Sequence, residues 1–369
     1  MSSPLVSIII VGYNSVRFLP RHFESIKNQT HKNLEIIFID NGSTDGSCQY
    51  ASAHFSGVTV VDNGQNRGLD YAWNQGIKLS SGKYVMLLNP DIVFEKDYLE
   101  KCVAKMESDL KIGVIGGKIL KYDFEADHKT DIIDSVGLYC YRNRRIVDQG
   151  QGITDQGQFD HSREVFGITG ACPLFRRSAL DDCRIFGEYV DEDFFMYKED
   201  IDLCWRLRLF GWSCFYLHNA IAYHGRGTGV LKRFSHLEVM RNRRHLSHFQ
   251  KGHSYRNQRW MQLKNEFFIS FLKDFFPIVW KEILISAYMV FREPYLIKCL
   301  FQTVWGIPRM LKKRREIFRR KKVSRREMEK WLRGKTNQET GKYRIWNSGK
   351  KWIFRKCCPK NFDVNRMGG

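Results

Sequence analysis

Four carboxylates and one imidazole stand where the chain pattern presents them at element ends: Asp40, Asp91, Glu199, Asp200 and His224. Side chains of these types bind cations and move protons. Asp91 closes the stretch "GKYVMLLNPDIVF", residues 82–94. Its apolar run has strand character and must stop at Pro90, which has no N–H to give to a sheet ladder. A stiff Asn-Pro turn then delivers a carboxylate, and ordinary turn chemistry explains the same residues. Glu199 and Asp200 open a segment in which Leu203, Leu207 and Phe210 keep helical spacing and Gly211 marks the stop. The spacing puts both acids in a first helical turn, where free N–H groups favour the ionised form, and acids are common there for structural reasons alone. Asp202, two residues on, turns away from Asp200 and reads as structural. His224 ends the strand-like "CFYLHNAIAYH" before a glycine-rich loop, and a lone histidine there also reads as a plain polar end.

The elements that position these residues alternate. "LVSIIIV" (residues 5–11), "NLEIIFID", "VTVVD" and "KYVMLL" have strand length and β-branched content, while residues 16–29 and "GLDYAWNQGIKLS" follow helical periodicity. Units of this size predict an α/β fold with a parallel, doubly wound sheet. Ligands of such sheets bind beyond the carboxyl ends of the strands. Gly12-Tyr13-Asn14, Asp40-Asn41-Gly42-Ser43, Asp62-Asn63 and Asn89-Pro90-Asp91 are therefore expected on one rim. No GxGxxG follows the first strand, and "GSTDGS" lacks the lysine of a P-loop. Past residue 112 the strands lose regularity, which suggests an added mixed or antiparallel half that binds the acceptor.

Seven stretches occur together in order over residues 5 to about 229: "VSIIIVGYN", "IIFIDNGSTDGS", "NRGLDYAWNQGI", "GKYVMLLNPDIVF", "ITGACPLFRRSAL", "FFMYKEDIDLCWRLRLFGW" and "AIAYHGRGTG". They resemble the inverting family 2 glycosyltransferases of the GT-A fold, and particularly their bacterial rhamnosyltransferase-like members. The resemblance implies that Asp40 accepts from a pyrimidine base, that Arg67 lies beside that base, that Asn66 shapes the turn, and that Tyr13 belongs to the same donor site. Asn89-Pro90-Asp91 occupies the place of the family's Asp-x-Asp, so Asp91 is implied to hold a divalent metal, Mg2+ or Mn2+, on the donor diphosphate. The neutral Asn89 departs from that pattern and removes one charge. His224 is implied as a further metal ligand, Asp200 as the general base, and Glu199 as the residue that orients the acceptor or Asp200.

Charge divides the chain. Residues 1–225 carry 24 basic and 30 acidic side chains, a net of −6, whereas residues 226–369 carry 36 and 10, a net of +26. Ten scattered cysteines form no CxxC pair or zinc spacing, which fits a reducing compartment. The first basic residue is Arg17, so the N-terminus reads as a first strand rather than a signal peptide. Residues 267–307 are rich in aromatics but interrupted by charges. The longest uncharged run there, 299–308, falls short of the ~18 residues of a membrane span. Residues 309–330 hold 12 basic and 3 acidic side chains around a narrow seam of Met310, Leu311, Ile317 and Phe318. This composition predicts a membrane-surface anchor at 263–332 after a catalytic domain at 1–262, with a polar tail at 333–369. A solvated bundle and a nucleic-acid-binding face are the alternatives, and no recognition module accompanies the charge. The expected protein is a metal-dependent inverting glycosyltransferase, peripheral on the cytoplasmic membrane face. It would move a sugar, rhamnose first, from a nucleoside-diphosphate sugar to a glycan or lipid-linked saccharide in surface polysaccharide synthesis. A UDP-hexose enzyme and a non-catalytic scaffold on the same fold are the rivals.

Overall fold

The computed structural model describes residues 3–55, 57–225 and 246–332. The strands are β1 (Val6–Gly12), β2 (Leu34–Asp40), β3 (Val58–Asp62), β4 (Tyr84–Leu88), β5 (Ile92–Phe94), β6 (Ile112–Asp123), β7 (His128–Ser135), β8 (Leu138–Cys140), β9 (Ile146–Asp148), β10 (Arg163–Glu164), β11 (Leu174–Arg176) and β12 (Ser213–His224). The helices of the first half are α1 (Leu19–Lys27), α2 (Ser47–His54), α3 (Leu69–Leu79), α4 (Tyr98–Ser108), α5 (Arg177–Cys183) and α6 (Glu199–Leu209). Six more follow: α7 (His248–Asn265), α8 (Phe268–Lys273), α9 (Phe275–Arg292), α10 (Ile297–Trp305), α11 (Ile307–Arg320) and α12 (Arg325–Leu332).

The sheet runs β10-β12-β6-β11-β4-β1-β2-β3, with β5 added on β12 and β7 on β6. β3, β2, β1 and β4 are mutually parallel and their registers align Gly12 with Asp40 and Asp40 with Asp62. The polar ends therefore share one rim. Loop hydrogen bonds lace it together: Asn41 N–H donates to Gly12 O (2.8 Å), Asn63 N–H to Asp40 O (2.9 Å) and Asn14 N–H to Ser43 Oγ (2.9 Å). The irregular half beyond residue 112 is mixed, as expected. β11 lies antiparallel between β4 and β6, β12 runs parallel to β6, and β7 runs antiparallel to it. β1 and β4 are apolar on both faces because helices cover both sides of a parallel sheet.

The C-terminal helices do not stand apart. They fall with the sheet in one compact unit whose limit is Thr336. Lys264 on α7 is buried on Asp191 and on Asp202 (3.0 Å). Lys313 on α11 is buried on Asp191 (2.5 Å), Asp193 (3.0 Å) and Glu188 (3.1 Å). Arg144, in the loop between β8 and β9, is buried against Glu266 (2.6 Å) and Asp274 (3.1 Å). Residue 262 thus lies inside a packed helix, and no break in packing occurs there.

The polybasic stretch also differs from the expectation. Met310 and Ile317, the seam assigned to a membrane, are fully buried in the main apolar core. Arg309 pairs with Asp193, and Arg320 donates to the carbonyls of Arg184 (2.6 Å) and Asp182. Acidic side chains and carbonyls of the core supply these partners, so the inner face of α11, with Met310, Lys313 and Ile317, is internal structure.

Candidate active site

Asp40 ends β2 with 1% exposure. One carboxylate oxygen accepts from Ser43 N–H (2.8 Å), while Oδ1 is buried without a partner. An unpaired buried acceptor is costly, and an N–H of a bound base would relieve it. Asn41, which the sequence reading passed over, is the hub beside it. Its side chain receives Arg67 N–H (3.2 Å) and Asn63 Nδ2 (3.2 Å), and donates to Asn66 Oδ1 (3.0 Å) and Gly68 O (3.2 Å). Asn66 and Arg67 are in this way fixed on the Asp40 loop. The Arg67 guanidinium lies 3.6 Å over the ring of Tyr71, and Tyr13 stands exposed where the chain leaves β1.

Asp91 and His224 meet across the sheet. β5 pairs with β12 so that His224 opposes Ile92, and Gly225 N–H donates to Asp91 O (2.9 Å). The side chains follow, with His224 Nε2 3.3 Å from Asp91 Oδ1. His224 Nδ1 contacts Asp134 Oδ2 at 2.9 Å, at the fully buried end of β7. Burial disfavours the imidazolium, yet Asp91 and Asp134 outweigh it and push its pKa up to about 10. Asp134 carried no motif; a carboxylate inside the strand "DIIDS" was its one signal. Asp134 accepts from Nδ1–H, and a cation that displaced the Nε2 proton would find in Nε2 a ligand held in the way of histidines that bind metals. Among the described residues no group of three or more His, Cys, Asp or Glu side chains could hold a metal alone. Asp91 and His224 fit a partial ligand set that diphosphate oxygens and water complete.

Asp200 is the second residue of α6. Its Oδ2 accepts from Gly170 N–H (2.8 Å), and the next residue, Ala171, receives Asn89 N–H on its carbonyl (3.0 Å). One short loop therefore ties the acid to the β4 end. A Cβ on Gly170 would lie 3.0 Å from Asp200 Cβ, so glycine permits the approach. Burial raises the Asp200 pKa, opposed in part by the Gly170 bond. Glu199 is buried with Oε2 unpaired, and burial together with the Asp200 charge pushes its pKa up to about 8. Asp70, unremarked in the first turn of α3, is wholly buried with both oxygens unpaired; burial and then Glu199 hold its pKa well above the ordinary range.

Residues 7–184 match the family model described as glycosyl transferase family 2. This stretch is a family 2 glycosyltransferase domain. The chain is 34% identical over 208 residues to a putative glycosyltransferase, EpsH, of Bacillus subtilis, covering 54% of this chain and 56% of that one. It is 26% identical over 240 residues to an N-acetylglucosaminyl-diphospho-decaprenol L-rhamnosyltransferase of Mycobacterium tuberculosis, covering 60% and 76%. The solved structure of GalNAc-T7 with UDP, GalNAc and Mn2+ superposes with a TM-score of 0.50 at 13% identity, over 71% of this chain and 48% of the other, a likeness of fold. The chain spans about half the length of the Bacillus relative and less of several others.

The match to the family model ends at residue 184, before α6, and α7 holds the segment that follows. Phe195, Tyr197 and Lys198 have φ of +67°, +73° and +76°, a left-handed conformation that side chains disfavour. The Asn257 amide donates to the carbonyls of Phe194 (3.0 Å), Met196 (2.9 Å) and Tyr197 (2.8 Å), and Arg256 donates to those of Asp193 (3.1 Å) and Phe194 (3.0 Å). Asp202 is bound to Arg206 (3.1 Å), Lys264 and Asn265 (2.7 Å), the structural role expected of it. The strained loop that presents Glu199 and Asp200 is thus clamped by Arg256 and Asn257 of α7, more than fifty residues further along the chain. Asn257 lay in an unmarked polar stretch and gave no signal.

Proposed function

We propose that the chain transfers a sugar, with inversion, from a nucleoside-diphosphate sugar to a hydroxyl of a glycan or lipid-linked saccharide in polysaccharide synthesis. The observation that carries this reading is the loop 170–171, which binds Asp200 on one side and the Asn89–Asp91 turn on the other. A base for the acceptor and an anchor for the donor diphosphate are held by adjacent residues. Asp40, with its unpaired Oδ1, and Arg67 take the nucleoside, Asn66 and Tyr13 complete that wall, and Asn89 lies at the diphosphate. Asp91 and His224 would hold Mg2+ or Mn2+. Bound there, the ion would neutralise charge on the departing diphosphate.

In the reaction the acceptor oxygen forms a bond to the anomeric carbon as the bond from that carbon to the phosphate oxygen breaks. The acceptor proton passes to Asp200, and the nucleoside diphosphate leaves with the bonding electrons. A carboxylate of raised pKa is a stronger base, and Glu199, neutral beside it at pH 7, adds no second charge. Rhamnose is the first donor sugar to test, in keeping with the mycobacterial relative; a UDP-hexose would change the sugar and leave the assignments intact. The charge of the C-terminal region supports work at the cytoplasmic face of a membrane. Arg226, the alternative partner for the diphosphate, and the tail 333–369 lie outside the described residues.

Thermal melting with a panel of sugar nucleotides, with and without Mn2+, tests the reading. The expected result is one donor class that stabilises the protein only with metal, and loss of that shift in Asp91→Ala. His224→Ala should weaken it less, because water replaces one neutral ligand. A donor shift indifferent to EDTA would remove the metal from the scheme.

A further inference from the structure

The helix α9 is built inside out. Phe276, Trp280, Ile283, Leu284, Val290 and Phe291 recur at helical spacing and are all exposed, Phe276 and Phe291 at 82%. Its charged pair faces the protein instead: Glu282 binds Arg259 on α7 and Lys281 (3.0 Å). Met289 anchors the inner face in a small cluster with Tyr255, Leu296 and Cys299. The outer stripe continues into α8 through ring contacts from Phe276 to Phe275 (5.8 Å) and from Phe275 to Phe271 (5.8 Å), where Phe268, Ile269 and Leu272 are exposed. On α10, Phe301, Val304 and Trp305 are exposed, Trp305 at 84%.

The charges around this surface have one sign. Residues 263–312 contain four acids, Glu266, Asp274, Glu282 and Glu293, and each is turned inward onto Arg or Lys. Lys273, Arg292, Lys298 and Lys312 are exposed. The exposed charges within residues 263–312 are all cations, and among the described residues Lys273 alone of those four pairs with an outside acid, Glu329. A surface of aromatic and aliphatic side chains with such charges complements the headgroups and outer acyl region of an anionic leaflet. A second copy of the chain would bring like charges together across the same face. No helix among the described residues is long and apolar enough to cross a membrane, whereas α9, about 27 Å long, can lie along one.

We infer that α8, α9 and α10 form a membrane-docking face that lies in the interfacial layer of an anionic lipid leaflet, and that the polybasic α11 is not its anchor. The inward cation Lys313 is taken by the core, and Met310 and Ile317 of the α11 seam are buried. The docking face borders a cleft of about 350 Å³ between α7, α10 and α11, walled by Trp260, Phe301 and Trp305 with Arg256 and Arg309. Arg256 also holds the loop before Glu199, so the cleft lies beside the clamp of the catalytic acids. The inference deepens the membrane part of the proposed function and does not depend on the sugar chemistry.

The test uses the full chain and vesicles of phosphatidylcholine with or without phosphatidylglycerol. Sedimentation should show binding to the anionic vesicles that high salt reduces but does not abolish. The triple variant Phe276→Ser/Trp280→Ser/Phe291→Ser should lower partitioning by about tenfold or more, since it removes the three exposed aromatic side chains of the α9 stripe. Lys312→Gln/Arg315→Gln on α11 should remove only part of the salt-sensitive component. Acyl chains brominated near the headgroup should quench tryptophan emission, and Trp280→Phe/Trp305→Phe should remove most of that quenching. Failure of the chain to bind anionic vesicles at low salt, undiminished binding by the triple variant, or dimers that the triple variant dissociates without any vesicle binding would overturn the inference. Loss of the metal-dependent donor shift with vesicle binding intact would overturn the donor reading alone.

Discussion

α11 and α9 are neighbours in sequence and opposite in construction. α11 has a narrow apolar seam in a field of cations, turns Met310 and Ile317 inward and buries Lys313 on three carboxylates. α9 has a broad apolar surface, turns it outward and keeps Lys281 and Glu282 toward the protein. Composition alone assigns membrane affinity to both. The difference is what the core offers: its acidic surface at Glu188, Asp191 and Asp193 takes up the basic helix, and among the described residues nothing comparable covers the apolar one. Charge in a sequence shows that a partner is needed, and the fold decides whether that partner is internal.

The strongest way to break the comparison is to remove a docked cation. Lys264→Ala leaves Asp191 and Asp202 buried without it, and breaking a buried pair from one side costs about 3–5 kcal/mol. A chain cut after residue 262 loses Lys264 and Lys313 together and is expected to be insoluble. A wild-type urea midpoint for Lys264→Ala would mean the helices are not held by this seam. Asn257→Ala is next, at about 1–3 kcal/mol, because the carbonyls of Met196 and Tyr197 lose their donor while that of Phe194 keeps Arg256. Its turnover should fall while the donor-induced melting shift persists.

Glu199→Gln sharpens the picture through pH. Burial and Asp200 raise the Glu199 pKa to about 8 from 4.5, so the fold prefers the neutral acid. The stability this gives is present below the unfolded value and is lost as pH rises from 4.5 toward 8. Melting temperatures measured over that range should show the variant gaining on the wild type as pH rises, and a constant difference would contradict a buried neutral Glu199. The smallest effect is expected on α9, where Phe276→Ser should change stability by less than about 0.5 kcal/mol, because an exposed side chain has little native packing to lose.

The rim of the sheet was legible because strand ends show in sequence: a run of β-branched residues stops, and the polar residues after it must share an edge. Asp91 and His224 could be paired through the family likeness, and β5–β12 register brings them together. Asp134 could not be read, since a carboxylate that orients an imidazole lies 90 residues away in the chain and has no local pattern of its own. Asp70 drew no notice because acids are common in first turns, and the loop at Phe195 that packs on its turn lies more than a hundred residues away. The clamp by Asn257 and the opposite facings of α9 and α11 depend on tertiary packing, which periodicity cannot report.

The central claim is that Asp200 takes the acceptor proton beside a donor held at Asp91 and His224. Release of nucleoside diphosphate in the presence of acceptor, compared between wild type and Asp200→Asn, tests it most directly. The account predicts a loss of about a hundredfold or more in turnover with the metal-dependent donor shift unchanged. Turnover retained in Asp200→Asn would contradict it.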